Sequence, residues 1–135
     1  MSQKIINVSG RRKKAIARAS IREGKGLIKI NNQPLSVIEP EISRLRLEEP
    51  IIIAGDHSKN VNISVKVSGG GSQSQIEATR LAIARALYEF SNKNAQLRKD
   101  FIDYDRHLLI ADVRRNEAHK PNDSKPRAKR QKSYR

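Results

Sequence analysis

The chain contains no cysteine. It therefore has no disulfide scaffold, no thiolate metal site and no cysteine nucleophile, and it suits a reducing compartment. Aromatic residues make up only 4% of the 135 residues. No aromatic-rich strand of the kind that stacks bases is visible, so base stacking does not dominate any contact with nucleic acid. No apolar run approaches the ~20 residues of a membrane span. The opening MSQKIINVSGRRKK lacks the long apolar stretch followed by small residues of a secretory signal.

Recognisable catalytic sets are missing as well. His57, His107 and His119 show no metal-ligand spacing, and no Ser, His and Asp set carries a local signature. Asp100, Asp103 and Asp105 sit among Arg98, Lys99 and Arg106, a pattern expected of ion pairing around a helix end. The expectation is a protein that is not an enzyme, with no cofactor and no metal.

What is present is positive charge. The net charge is +14, and its placement says more than its size. Residues 1–25 hold Lys4, Arg11, Arg12, Lys13, Lys14, Arg18, Arg22 and Lys25 against Glu23 alone. Residues 114–135 hold Arg114, Arg115, Lys120, Lys125, Arg127, Lys129, Arg130, Lys132 and Arg135 against Glu117 and Asp123. The residues between them, 26–113, sum to zero. Like-charged blocks repel one another when free and call for a polyanion. Neither block carries an apolar stripe, which disfavours an anionic membrane. Charge alone leaves open RNA, DNA or a nuclear-localisation signal.

Along the chain, 15–22 (AIARASIR) and 27–30 (LIKI) read as two strands about the turn 23–26, forming a hairpin. Two helical turns follow over 41–48, ending before Pro50. The β-branched run 51–54 (IIIA) reads as a buried strand. Residues 61–67 alternate Val61, Ile63, Val65 and Val67 with Asn62, Ser64 and Lys66, the clearest strand in the chain. Three glycines at 69–71 precede a helix in which Ser74 and Glu77 fit a capping box. Its face is Ile76, Ile83, Leu87 and Phe90, with Ala82 and Ala86 for close packing. Asn92 and Asn94 end it. A short helix over 95–102 and a last strand at 108–111 complete the body. After Val113 the apolar pattern stops, with Pro121, Pro126 and no large aliphatic residue. That is a tail with no core of its own, and its 22 residues span roughly 75 Å when extended. The glycine turn before the helix has two readings: backbone N–H groups aimed at a phosphate, or a simple strand-to-helix turn. It matches neither a Walker A loop nor GxGxxG.

Five strings occur in order: GRRKKAIARA at 10–19, GLIKINNQPL at 26–35, GGGSQSQIEATRLAIARAL at 69–87, DYDRHLLIADVRR at 103–115 and KRQKSYR at 129–135. Together they resemble the universal small-subunit ribosomal protein nine family, and the Lys-Ser-Tyr-Arg close resembles its archaeal and eukaryotic branch. The resemblance implies an α+β fold: a small two-layer sandwich with a mostly antiparallel sheet, helices on one face and a left-handed crossover. It divides the chain into a globular domain of residues 1–113 and an extended basic tail of 114–135.

The resemblance also implies a structural constituent of the small ribosomal subunit in the cytoplasm. Such a protein binds the 3′ (head) domain of small-subunit rRNA beside neighbouring head proteins, and its tail reaches the peptidyl-site tRNA. By the same resemblance, Arg11, Arg12, Lys13, Lys14, Gly69, Gly70, Gly71, Arg114, Arg115, Lys125, Arg127, Lys129 and Arg130 face rRNA. Lys132, Tyr134 and the terminal Arg135 face tRNA. Arginine suits a phosphate at the terminus because its fork donates two hydrogen bonds at once. Two other classes stand beside this one. A free architectural protein would bind DNA and RNA alike. Some small-molecule kinases share the fold superfamily and use a glycine-rich loop before a helix, but this chain lacks their length and nucleotide-loop pattern.

Overall fold

In the segment 15–23, buried Ala15, Ala17, Ala19 and Ile21 alternate with the exposed Arg18, Ser20 and Arg22. That period of two makes it a strand with one dry face. The computed structural model describes residues 3–134. Its sheet comprises β1 (Ile6–Arg12), β2 (Ala15–Glu23), β3 (Ile28–Ile30), β4 (Gln33–Pro34) and β5 (Val61–Ser68), in the order β1-β2-β5-β3-β4. Every pairing is antiparallel except β3 with β5. The helices are α1 (Glu41–Ala54), α2 (Asp56–Lys59), α3 (Ser72–Phe90) and α4 (Ala95–Tyr104), with single 3-10 turns at Leu35–Val37 and Arg106–Leu108. The fold is α+β with a mostly antiparallel sheet, as the resemblance implied.

Helix α3 lies across β1, β2 and β5, and α1 and α4 pack beside it. Small residues allow this closeness. The alanines of β2 meet Ala78, Ala82 and Ala86 of α3 in one buried cluster with Ile63, Val65, Ile83, Leu87, Phe101 and Leu108. Gly10 of β1 is the tightest point: a Cβ there would stand 2.4 Å from the Ala78 carbonyl oxygen, well inside contact distance.

The strand β1 falls in the stretch read above only as a basic segment. Its Ile6, Val8, Gly10 and Arg12 face the helices while Asn7, Ser9 and Arg11 face outward. A glycine and an arginine at inward positions conceal that period.

Four other expectations are corrected. Residues 15–30 are not a hairpin, because β5 lies between β2 and β3. The loop between them is tied to the start of β5: Gly24 and Gly26 donate to the Asn60 and Val61 carbonyls, and Lys25 and Leu27 both donate to Asn62 Oδ1. Long-range pairing therefore overrides the local turn. Residues 51–54 are not a strand but the last turn of α1, which runs through Pro50. A short apolar run does not distinguish strand from helix by itself. Gly55 stops α1 at φ 55°, its N–H meeting the Ile51 and Ile52 carbonyls, a left-handed C-terminal stop open to glycine. Ser74 is not the cap of α3. Gly71 holds that position with no side-chain cap, and Glu77 is engaged elsewhere. Residues 108–111 form no strand: buried Leu108 closes the core within a 3-10 turn. Asn94, expected only to end α3, also caps α4 by accepting from the Gln96 and Leu97 N–H groups.

Candidate nucleic-acid interface

The β1–β2 turn is the first element of the site. Lys13 and Lys14 form it, with Lys13 at φ 52°, and both side chains are exposed without an ion pair among the described residues. The glycine loop after β5 folds directly over this turn. Gly69 and Gly70 have φ of 77° and 63°. A Cβ on Gly69 would lie 2.6 Å from the Lys14 carbonyl oxygen, and one on Gly70 would lie 3.0 Å from the Ala15 nitrogen. Two of the three glycines are thus required by close backbone approach, which favours the structural reading of the motif. Gly71 meets nothing. The same packing sets the N-terminus of α3 beside two lysines. That end has no capping side chain and no acidic residue in its first turn, so its leading N–H groups and positive dipole end are free to meet an anion.

Arg11 and Arg12 are adjacent in sequence but point to opposite faces. Arg11 is exposed, its Nε donating to the Lys13 carbonyl at 3.3 Å. Arg12 points inward, with its side chain 12% exposed. Its Nε donates to Glu77 Oε2 at 2.7 Å and its Nη1 lies 2.9 Å from Asp112 Oδ2. That arginine holds the protein together rather than offering itself to a ligand.

Asp112 joins the two basic ends of the chain. Arg114 closes a fork on it through Nε and Nη2, the latter at 2.7 Å. Hydrogen bonds from the Arg114 side chain and backbone, with the charge of Arg12 behind them, hold the Asp112 carboxyl far below the usual carboxylate range. Two arginines of α3 fasten the preceding residues. Arg80 Nη1 donates to Asp105 Oδ2 at 2.8 Å and its other terminal nitrogen pairs with Glu49 of α1. Burial raises the Asp105 carboxyl, but the Arg80 bond and the His107 N–H bring it below its ordinary value. Arg85 donates to the Leu109 carbonyl at 3.1 Å and the Ser9 carbonyl at 2.9 Å. The local ion pairing expected among residues 98–106 is replaced by these long-range pairs: no ion pair among the described residues involves Arg98, Lys99 or Arg106.

Beyond this root, residues 111–134 contain no helix or strand. Arg115, Lys125, Lys129, Arg130, Lys132 and Tyr134 are exposed. Arg127 pairs with Glu117, Nη2 to Oε1 at 2.6 Å, on the surface. The expected contact residue Arg135 lies outside the described residues.

The structure thus gathers Arg11, Lys13, Lys14 and the glycine loop at one end of the sheet. It withdraws Arg12 into an ion network and leaves the tail cations separate. Sequence reading missed Asp112, Arg80 and Arg85, since ion pairs between distant segments leave no local signal. It also missed the outward face of the sheet, where Arg18, Arg22, Lys29 and Lys66 stand exposed. The period-two patterns of β2 and β5 carried that signal.

Among the described residues no group of three or more His, Asp or Glu is placed to hold a metal ion, and no helix is long and apolar enough to cross a membrane. Residues 10–135 match the model of the family described as ribosomal protein S9/S16. Over 134 residues, covering 98% of this chain and 99% of the relative, the sequence is 48% identical to the small ribosomal subunit protein uS9 of Methanococcus maripaludis (strain C7). It is 46% identical, with the same coverage, to that of Methanococcus vannielii. The chain belongs to the ribosomal protein S9/S16 family, whose members are ribosome components and not enzymes.

Proposed function

We propose that this protein is a structural constituent of the small ribosomal subunit in the cytoplasm. A folded body of residues 1–113 binds the 3′ (head) domain of small-subunit rRNA among neighbouring head proteins, and a basic tail of residues 114–135 reaches the peptidyl-site tRNA. The family's left-handed sense for the crossover from β3 to β5 belongs to the same reading. The observation that carries it is the contrast in how cations are used. Body arginines such as Arg12, Arg80 and Arg85 are consumed by internal pairs, while the tail's Arg115, Lys125, Lys129, Arg130 and Lys132 meet no partner among the described residues.

A cation without a partner on a segment without a core gains little from folding and much from phosphate. Ordering such a tail costs conformational entropy, which counterion release from RNA offsets. Lys13, Lys14 and the uncapped start of α3 supply a second phosphate site on the rigid body. Arg114 is split between the two roles, since its fork is already on Asp112.

Sedimentation of a native lysate through a high-salt sucrose gradient tests the reading. Polyanion binders that make 6–10 phosphate contacts lose about 10³–10⁵ in affinity between 50 and 200 mM salt. Retention with the small subunit above that range is expected of an integral component held by shape as well as charge. Recovery at the top of the gradient would reject it in favour of non-specific nucleic-acid binding. The tail claim is tested separately: subunits whose copy lacks Arg135 should assemble normally and hold peptidyl-site tRNA less tightly.

A further inference from the structure

The helices cover one face of the sheet, and the other is open. We infer that this open face is a second RNA-backbone surface, fitted to the sugar–phosphate ridge of an A-form duplex. The inference rests on the ribosomal reading for its RNA but extends it to a surface beyond the tail and the glycine loop. Arg11, Arg18, Arg22, Lys29 and Lys66 all stand on this face and all are exposed. None of the outward positions of β1, β2, β3 or β5 is Asp or Glu. The open face of the sheet therefore carries charge of one sign, three cations from β1 and β2 and two, Lys29 and Lys66, from the neutral middle of the chain.

Three features favour phosphate over plain solvation. First, Arg18 lies directly opposite Lys66 in the β2–β5 register. Like charges opposed across strands are destabilising unless something neutralises them, and no ion pair among the described residues involves either. Second, the positions between the cations are small and hydrogen-bonding. Asn7, Ser20 and Ser64 stand in one row across β1, β2 and β5, and the Ser20 hydroxyl donates to Asn7 Oδ1 at 2.7 Å, which leaves the Asn7 amide N–H groups and the Ser64 hydroxyl as the donors that face outward. Such groups donate to phosphate and sugar oxygens without reading sequence. Third, no aromatic residue lies on this face. That leaves base stacking aside and suits recognition of duplex RNA by shape and backbone.

The face also runs through Arg11 into the turn of Lys13 and Lys14, so one continuous basic surface joins it to the start of α3. A shallow trough along β1, β2 and β5, lined by Asn7, Ser9, Arg18, Ser20, Ser64 and Lys66, gives the ridge a seat.

The test measures binding of the full-length chain to a 24-base-pair RNA duplex and to a transcript of the 3′ domain of small-subunit rRNA, across a salt series. The variant R18S/R22S/K66S is compared with R98S/K99S/R106S, which removes equal charge from α4 and the turn after it. Each lost phosphate contact flattens the slope of log K against log salt by about 0.7–0.9, so the face variant should lose roughly 2–3 and the control nothing. The longer R18Q/K66Q, with melting temperatures for all variants, guards against unfolding. The face variants should melt at or above the wild type, because a repulsion is removed. Equal losses in face and control variants, or no loss in either, overturn the inference. So does unchanged RNA binding with loss of an acidic head protein from assembled subunits. Failure of the wild type to hold the rRNA transcript would instead bring down the ribosomal reading itself.

Discussion

The two basic ends of this chain carry the same net charge but sort it differently. At the N-terminal end the cations are built into β1 and β2. Alternation sends Arg12 inward to Glu77 and Asp112 and leaves Arg11, Lys13 and Lys14 outside. At the C-terminal end no period exists to sort the side chains, and nearly all of them are exposed. The lesson is that charge becomes structure only where a regular element divides it between a dry side and a wet one. Asp112 is the boundary. Arg12 belongs to the folded side of it and Arg114 opens the tail.

The strongest way to sharpen this contrast is to end the chain after Arg115. Seven cations are lost with the tail, yet no helix or strand among the described residues is. Four of them, Lys125, Arg127, Lys129 and Arg130, are expected rRNA contacts, so the slope of log K against log salt for rRNA should flatten by about 3–4, with melting temperature unchanged in a calorimeter. A large fall in melting temperature would show that the tail is part of the fold. The converse is Gly10→Val. Overpacking β1 against the Ala78 carbonyl should cost about 1–3 kcal/mol, read as a fall of roughly ten degrees in melting temperature. Salt dependence of RNA binding by the folded fraction should not change.

A smaller effect is expected at the boundary. Asp112→Asn should release the tail root, seen as faster trypsin cleavage after Arg114 and a modest loss of stability. The sign with pH follows from the lowered carboxyl. Its contribution is complete above about pH 4, where the unfolded carboxylate is ionised, and disappears as pH falls from there toward the depressed folded value. Asp112→Asn should therefore flatten the acid limb of stability against pH. Lys13→Ser with Lys14→Ser should flatten the salt slope by about 1.5 and move stability by less than about 0.5 kcal/mol. The smallest effect belongs to Glu117→Gln. Its pair with Arg127 lies on the surface, so no change in melting temperature is expected, and RNA affinity should hold or rise as Arg127 is freed.

How much was legible follows one rule. Strands β2 and β5, helix α3 and helix α4 were visible because each carries its own period within one segment. Strand β1 was not, because Gly10 and Arg12 interrupt its inward face after Ile6 and Val8. The end of α1 was misread because Ile51, Ile52 and Ile53 have strand propensity, while the helix is sustained by its packing on α3. The basic ends and the glycine loop were visible as composition. The withdrawal of Arg12 and the single-sign open face were not.

The family, the alternation of the main strands, the amphipathic helix and the placement of net charge at the two ends all follow from the order of the residues alone. Local periodicity and composition are written residue by residue, so they survive without the fold. It takes the folded chain to part β2 from β3 with β5, to bring Arg12 to Asp112 a hundred residues away, and to set Arg18 and Lys66 on one face without an acid. Those outcomes depend on which distant segments pair. That choice is made by burial of the whole apolar face at once and leaves no mark in any one stretch of chain.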